Sequence, residues 1–359
     1  MSPESLASAE SLASPESLVS PESLVKKIRV AVLHGGRSGE HEVSLRSAES
    51  IMAAMDRERY EIIPILIDKD GRWQRIDSDG RQRPGAISPE PGANPGIDVV
   101  FPVLHGTFGE DGTVQGLLEL ADLAYVGAGV LGSAVSMDKE VMKRLLAERG
   151  LPVAPYLVLR RGHFRAEDVC GKLPFPVFVK PANLGSSVGV SKAKTCEELM
   201  GALELAAQFD RKILVERGIE GREFECSVLG NEDPVAAVPC EIISSRDFYD
   251  YEDKYLLNQA HTVVPADLTA EQTREVQRLA VECYKACECE GMARVDFLME
   301  ASTGKFFINE PNTIPGFTSI SMYPKMWEAS GLPYSELIDR LIELALERHR
   351  ERRATRYCR

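Results

Sequence analysis

The stretch from Ile28 to Gly106 constrains the fold most. "IRVAVLHGG" is an apolar run of the kind that is buried on both faces and ends in glycines. "EVSLRSAESIMAAM" follows with helical spacing, and "YEIIPILID" and "IDVVFPVLHG" are two further apolar runs. Strand, helix, strand in that order predicts a parallel sheet. The turn GGRSGE is not the dinucleotide fingerprint, and no phosphate-binding G-x-x-x-x-G-K-[ST] occurs, so this part carries no strong nucleotide signal. Gly35, Gly36 and the loop from His105 to Gly112 would still line a crevice for a small ligand at the sheet's end.

With 359 residues the chain can hold two or three domains. A net charge of -13 argues against a general nucleic-acid binder, whose partner would demand a basic face. It does not exclude an anionic ligand in a locally basic pocket. No apolar run reaches membrane-spanning length and no secretory signal is visible, so reduced thiols and a cytoplasmic setting are expected. The eight cysteines lack metal spacing, and Cys283 and Cys287 read as small buried side chains on one helix face. Residues 2–25 repeat a hexapeptide (SPESLA, SAESLA, SPESLV, SPESLV) whose period of six cannot hold leucines on one helix face, so residues 1–27 read as a flexible tail. The last residues, RHRERRATRYCR (348–359), read as a solvated, frayed helix end, with 349–359 as a basic tail.

Further along, "MARVDFLME-ASTG-KFFINEPN" reads as a β-hairpin. Pairing Ala301 with Lys305 around Ser302–Gly304 sets Asp296 opposite Glu310 and Arg294 opposite Asn312, all on one face. Val295, Phe297, Met299 and Phe307 would take the other face. Two carboxylates directly opposite each other repel. Either water solvates them or a cation lies between them, and two carboxylates with a carboxamide oxygen suit Mg²⁺, which completes its shell with phosphate and water. "KPANLGSSVGVSK" places Lys180 at a strand end before a small-residue loop whose Gly185, Ser186, Ser187 and Gly189 can approach an anion. Lys139 is a second cation, at the start of a helix. Glu216 and Glu223 stand at and just after a strand end, as acceptors for an amino group and hydroxyls or as plain surface acids. "RDFYDYEDKYLLNQAHTVVPADL" has no steady period and reads as a long functional loop.

From about Ile28 to about Ala345 the chain resembles the D-alanine–D-alanine ligases of the ATP-grasp superfamily. The matching stretches are "HGGRSGEHEVSLRSA", "VLHGTFGEDGTVQGLLEL", "SMDK", "VKPANLGSSVGVSK", "EGREFECSVLGN", "FYDYEDKY", "RVDFLME" and "NEPNTIPGFTSISMYP", in family order. The resemblance implies an α/β (α+β) fold of three domains. These are a Rossmann-like parallel-sheet domain (28–127) and two antiparallel-sheet subdomains (128–210 and 211–348) that sandwich ATP.

It also implies two Mg²⁺ (or Mn²⁺) ions on Asp296, Glu310 and Asn312. It places Lys139, Lys180, Ser187 and Val188 near the ATP phosphates, Glu216 and Arg217 near adenine, and Glu223 on ribose. It assigns Glu40 to the first D-alanine's ammonium, linked through Ser186 to Tyr255, with His105 nearby and Lys254 on the transferring phosphoryl group. Arg294 and the Gly316 N–H would meet a tetrahedral oxyanion, and Ser321 and the Met322 N–H the second substrate's carboxylate. A homodimer acting on D-alanine and ATP is implied, with no nucleic-acid or membrane partner.

The hexapeptide tail lies outside the family pattern, and two places within the fold depart from it. Cys240 stands where glycine is expected, and Arg217-Gly218 replaces a bulkier pair. A ligase making D-alanyl-D-lactate or D-alanyl-D-serine is the close alternative, which Tyr255 disfavours for the ester. A catalytically silent ATP sensor is the distant one, which the intact Arg294, Asp296, Glu310 and Asn312 set disfavours.

Overall fold

The computed structural model describes residues 26–76, 81–243 and 261–356. The hexapeptide repeat and the expected roles of Lys254 and Tyr255 lie outside them.

The first sheet joins β1 (Ile28–Gly35), β2 (Tyr60–Ile67), β3 (Trp73–Ile76), β4 (Gln82–Pro84), β5 (Val99–Val103) and β6 (Ala124–Tyr125) in the order β4-β3-β2-β1-β5-β6. β2, β1, β5 and β6 run parallel, as the sequence predicts, while β3 and β4 add an antiparallel edge. The apolar runs are continuous because both faces are covered. Val30 and Val32 turn to α1 (His41–Ala54), and Ala31 and Leu33 to α2 (Thr113–Leu120).

Next come α3 (Val130–Met137), α4 (Lys139–Glu148), β7 (Tyr156–Arg160), β8 (Val177–Pro181), β9 (Ser191–Ala193), α5 (Cys196–Phe209) and β10 (Lys212–Arg217). They build a small antiparallel sheet, β7-β10-β8-β9, backed by α5. The division at 210/211 would assign β10 to the following unit, but β10 hydrogen-bonds between β7 and β8. Conversely, Met142 and Leu146 of α4 pack into the core of the larger sheet.

That larger sheet contains β11 (Gly221–Gly230), β12 (Val235–Ala236), β13 (Cys240–Ile243), β14 (His261–Val263), β15 (Gly291–Glu300) and β16 (Phe306–Asn312). Its order is β14-β13-β11-β15-β16, with β12 on β11, and α6 (Ala270–Ala286) covers its apolar face.

The chain closes with α7 (Met322–Ala329) and α8 (Tyr334–Arg353). α8 packs Leu337, Ile338, Leu341 and Ile342 into the same core as Val30 and Phe101, so the C-terminal helix covers the first sheet. Its basic end is docked against that domain. Arg348 is buried, donates to the carbonyls of Gly127 and Tyr125, and lies 4.4 Å from the Tyr125 ring centre. Arg352 pairs with Glu119, and Arg353 with Asp122 at 3.6 Å. The solvated end read from composition does not hold for Arg348, which is buried, while Arg350 and Arg353 stay exposed.

Cys170 and Cys196 form a disulfide, Cα to Cα 6.1 Å, against the expectation of reduced thiols throughout. One follows a short 3-10 turn and the other opens α5. The small domain's core brings them together, which their spacing of 26 does not announce. Cys226, Cys240, Cys283, Cys287 and Cys289 are free and buried. Among the described residues no helix is long and apolar enough to cross a membrane.

Candidate active site

A cavity of about 330 Å³ separates the two antiparallel sheets. Phe178, Lys180 and Glu216 line it from the small sheet, and Glu223, Glu225, Asp296, Leu298 and Glu310 from the large one. Most of these positions alternate with Val179, Val215, Phe224 and Phe297, which pack into the two cores, so strand periodicity aims most of the polar set at the cleft.

The β15–β16 pairing sets Asp296 opposite Glu310 and Arg294 opposite Asn312, as the sequence predicts. The turn does not follow the prediction. Glu300 pairs with Lys305, leaving four residues, Ala301 to Gly304, in the loop, with Gly304 left-handed at φ 69°. Phe297 therefore pairs with Ile308, and the register recovers only through a bulge between Asp296 and Phe297. The extra residue is Asn309. It shifts Phe306 and Ile308 into the core and leaves Phe307 beside the Arg217 guanidinium, 5.5 Å away, rather than on the apolar face. Asn309 joins Glu310 in the cleft. Bulges of this kind re-aim side chains beside functional sites.

The neighbouring strand adds a third acid. Glu225 lies opposite Asp296, so Glu225, Asp296 and Glu310 stand in one row across three strands, and Cys240 extends it with Sγ 4.0 Å from Glu225. Cations hold the row together. Arg294 donates twice to Asp296, both bonds at 2.7 Å, and approaches Glu225 at 3.3 Å. Lys139 Nζ lies 2.9 Å from Glu310 and donates to the Leu184 carbonyl at 2.8 Å. The Asn312 amide donates to Asp296 at 3.0 Å.

On the facing sheet, Lys180 Nζ is 2.5 Å from Glu216 and donates to Asn309 at 3.4 Å. Lys143, one turn after Lys139 on α4, meets the other oxygen of Glu216. Burial would raise the Glu216 carboxyl, but the two lysines outweigh it and hold the group below its usual range. Burial likewise opposes the Lys180 ammonium, yet Glu216 and Glu310 leave it raised. Burial pushes Lys143 down. Lys139, Lys143 and Lys180 thus offset Glu216 and Glu310 in the cleft wall.

The loop after β8 turns tightly. Ser186 and Ser187 both adopt left-handed φ (52° and 57°), and the Val188 N–H donates to the Gly185 carbonyl at 3.2 Å. Such strained backbone marks functional loops. The first domain reaches it through Glu40, whose Oε2 would lie 3.7 Å from a Cβ on Gly185 and 2.9 Å from one on Gly106. Ser187 lines the cleft, and the Ser186 hydroxyl is buried without a hydrogen-bond partner among the described residues. Arg217 sits at the rim, paired with Glu300 at 2.9 Å.

The segment after β16 is clamped by the first domain. The Ile314 carbonyl faces His105 Nδ1 at 2.9 Å, and the Ile314 N–H donates to Glu110 at 3.0 Å. The Phe317 N–H donates to Ser47 at 3.2 Å, and Ser47 lies 3.3 Å from His105 Nε2. Burial lowers the His105 pKa, so the neutral ring donates from Nδ1 and accepts at Nε2. Burial, with Glu40 nearby, pushes Glu110 up to about 8. A Cβ on Gly316 would stand 2.7 Å from Ser321 Oγ, so a side chain there would displace the Ser321 hydroxyl. Ser321 caps α7, whose first residue is Met322, and accepts from the Thr318 N–H at 3.0 Å.

Sequence reasoning missed Lys143, Glu225, Asn309, Glu110 and Ser47. Lys143 and Glu225 carried a signal, lying four residues from Lys139 and two from Glu223 on the same faces. Asn309 carried none, because a bulge has no composition of its own.

Family models for the D-ala D-ala ligase N-terminus and C-terminus match residues 29–128 and 145–343. The chain belongs to the D-alanine–D-alanine ligase family. A D-alanine–D-alanine ligase of Solibacter usitatus is 66% identical over 333 residues, covering 93% of this chain and 100% of its own. That of Thermoanaerobacter sp. strain X514 is 50% identical, covering 91% and 99%. Among solved structures, the Coxiella burnetii D-alanine-D-alanine ligase superposes with a TM-score of 0.82 at 40% identity, covering 91% of this chain and 96% of its own. A D-Ala:D-Ser ligase from Enterococcus faecalis gives 0.82 at 37%, covering 89% and 100%. The ligase family accounts for the three-domain ATP-grasp arrangement of one mostly parallel and two antiparallel sheets.

Proposed function

We propose that the protein joins two D-alanines into D-alanyl-D-alanine, with hydrolysis of ATP to ADP and phosphate. The observation that carries this reading is the cross-strand pair Asp296–Glu310, with Arg294 and Asn312 beside it, facing Lys139 and Lys180 across a cleft between two sheets.

A carboxylate is a poor acyl donor, because oxide would have to leave. Transfer of the ATP γ-phosphoryl group to the first D-alanine's carboxylate oxygen gives an acyl phosphate and ADP. The second D-alanine's amine then attacks the acyl carbon, the C–O bond to phosphate breaks, and the amine proton is lost. Lys139, Lys180 and the loop carrying Ser187 and Val188 hold the phosphates, with Lys254 on the transferring group. The apolar end at Phe178, Ile219 and Leu298 takes the purine, with Glu216 and Arg217 beside it and Glu223 toward the ribose.

Glu40 faces the first substrate's ammonium with Ser186 near it, and His105 fixes the chain next to it; the expected link to Tyr255 lies outside the described residues. Arg294 and the Gly316 N–H meet the oxyanion, and Ser321 with the Met322 N–H takes the second carboxylate. The donor set at Asp296, Glu310 and Asn312 fits divalent magnesium or manganese: two opposed carboxylates already held by cations, plus an amide oxygen. When bound, such an ion neutralises phosphate charge as it develops.

The test is product mass after incubation with Mg·ATP and D-alanine, D-serine and D-lactate together. D-alanyl-D-alanine should dominate at neutral pH. Dominant serine or lactate transfer would replace this reading, and ATP binding with no phosphate release would favour a sensor.

A further inference from the structure

Lys139 and Lys180 line the cleft, whereas Lys143 is fully buried and does not. α4 presents Lys139 and Lys143 one turn apart, the first to Glu310 on the large sheet and the second to Glu216 on the small one. Glu216 thus has two counter-ions of different kinds. Lys180 sits at the cleft wall, shared with Asn309 and open to a ligand. Lys143 is shut in behind Glu216, with the Tyr156 ring 5.9 Å from its ammonium. Tyr156 and Phe178 flank Glu216 on the adjacent strands, so the carboxylate has little lateral freedom.

We infer that Lys143 is the positioning residue for the purine end of the nucleotide site: the permanent counter-ion that keeps Glu216 ionised and aimed into the cleft when Lys180 turns to phosphate. A buried carboxylate with no cation takes up a proton. Protonated, Glu216 would offer an O–H where a 6-amino purine needs an acceptor, and would instead suit a 6-oxo purine. Lys143 is therefore a selectivity residue that never touches the nucleotide. The inference rests on the reading that Glu216 faces the purine.

The test reads nucleotide binding alone, so it is independent of whether ligation occurs. Calorimetric titration with Mg·ATP and Mg·ITP compares the wild type with Lys143→Met, Lys143→Arg, Glu216→Gln and the Lys143→Met/Glu216→Gln double variant. The wild type should prefer ATP. Lys143→Met should weaken ATP by about tenfold or more while ITP changes little, because the acceptor becomes a donor. Lys143→Arg should restore the preference. In the Glu216→Gln background, Lys143→Met should cost less than about threefold, since a neutral amide needs no counter-ion.

Should Lys143→Met fail to fold, the double variant should fold and bind like Glu216→Gln, since removing both charges is tolerated better than removing one. A double variant that also fails overturns the inference. So does equal weakening of ATP and ITP by Lys143→Met, an undiminished cost in the Glu216→Gln background, or a wild type indifferent to the purine.

Discussion

The two ends of the site are held by different kinds of bond. At the phosphate end, Glu225, Asp296 and Glu310 stand against Arg294 and Lys139, charge against charge over 2.7 to 3.3 Å, and Lys180 holds Glu216 at 2.5 Å. At the clamp, the loop from Thr313 to Ser321 is fixed mainly by single hydrogen bonds from its backbone to Ser47, His105 and Glu110 of another domain. The first arrangement can exchange partners: a lysine that now grips a carboxylate can grip a phosphate with little rearrangement. The second cannot, because each bond satisfies one buried backbone group and has no alternative. On the proposed reading, phosphoryl transfer falls at the exchangeable end, and the Gly316 and Ser321 contacts to the oxyanion and second carboxylate fall at the fixed end.

Substitutions at the two ends should therefore fail differently. Glu310→Gln keeps the shape and removes one ligand charge, so kcat should fall by about a thousandfold or more while the melting temperature moves little. Steady-state kinetics and a thermal melt check this together, and a melt that collapses with the activity would erase the distinction. Ser321→Ala should raise KM for the second D-alanine about tenfold and spare the first, as the loss of one hydrogen bond to a charged group would. Equal loss for both substrates would move Ser321 out of the acceptor subsite.

Ser47→Ala strands the Phe317 N–H and loosens Gly316 at one remove. A kcat drop of about threefold to tenfold with unchanged KM for ATP is expected. A loss as large as that of Glu310→Gln would break the comparison. The smallest effect concerns Glu110, whose folded pKa of about 8 lies above the ordinary carboxyl value. The folded state therefore binds the proton more tightly, and stability is lost as pH rises toward 8, by at most a few kcal/mol. Thermal melts from pH 5 to 9 without substrate should show that decline. Glu110→Gln should flatten it, and an unchanged slope would contradict the assignment.

Periodicity made much of this legible in the sequence. The alternation in β15 and β16 puts Asp296, Glu310, Arg294 and Asn312 on one face from the sequence alone, and the apolar runs of β1, β2 and β5 declare the parallel sheet. The Asp296–Glu310 pairing survived a wrong turn, because the one-residue error at Ala301 and the bulge at Asn309 cancel. Contacts between elements far apart in sequence were not legible: Lys143 with Glu216, Ser47 with Phe317, Arg348 with the Tyr125 carbonyl, Cys170 with Cys196. Each is decided by how domains pack, and neither residue of such a pair differs in type from an ordinary surface or core residue.

The acyl phosphate is the central claim, and an oxygen label tests it most directly. D-alanine carrying ¹⁸O in both carboxylate positions, turned over with unlabelled Mg·ATP, should pass one labelled oxygen to each phosphate released. Phosphate free of label, with dipeptide formed, would mean that the carboxylate was never phosphorylated and that the cleft performs some other chemistry.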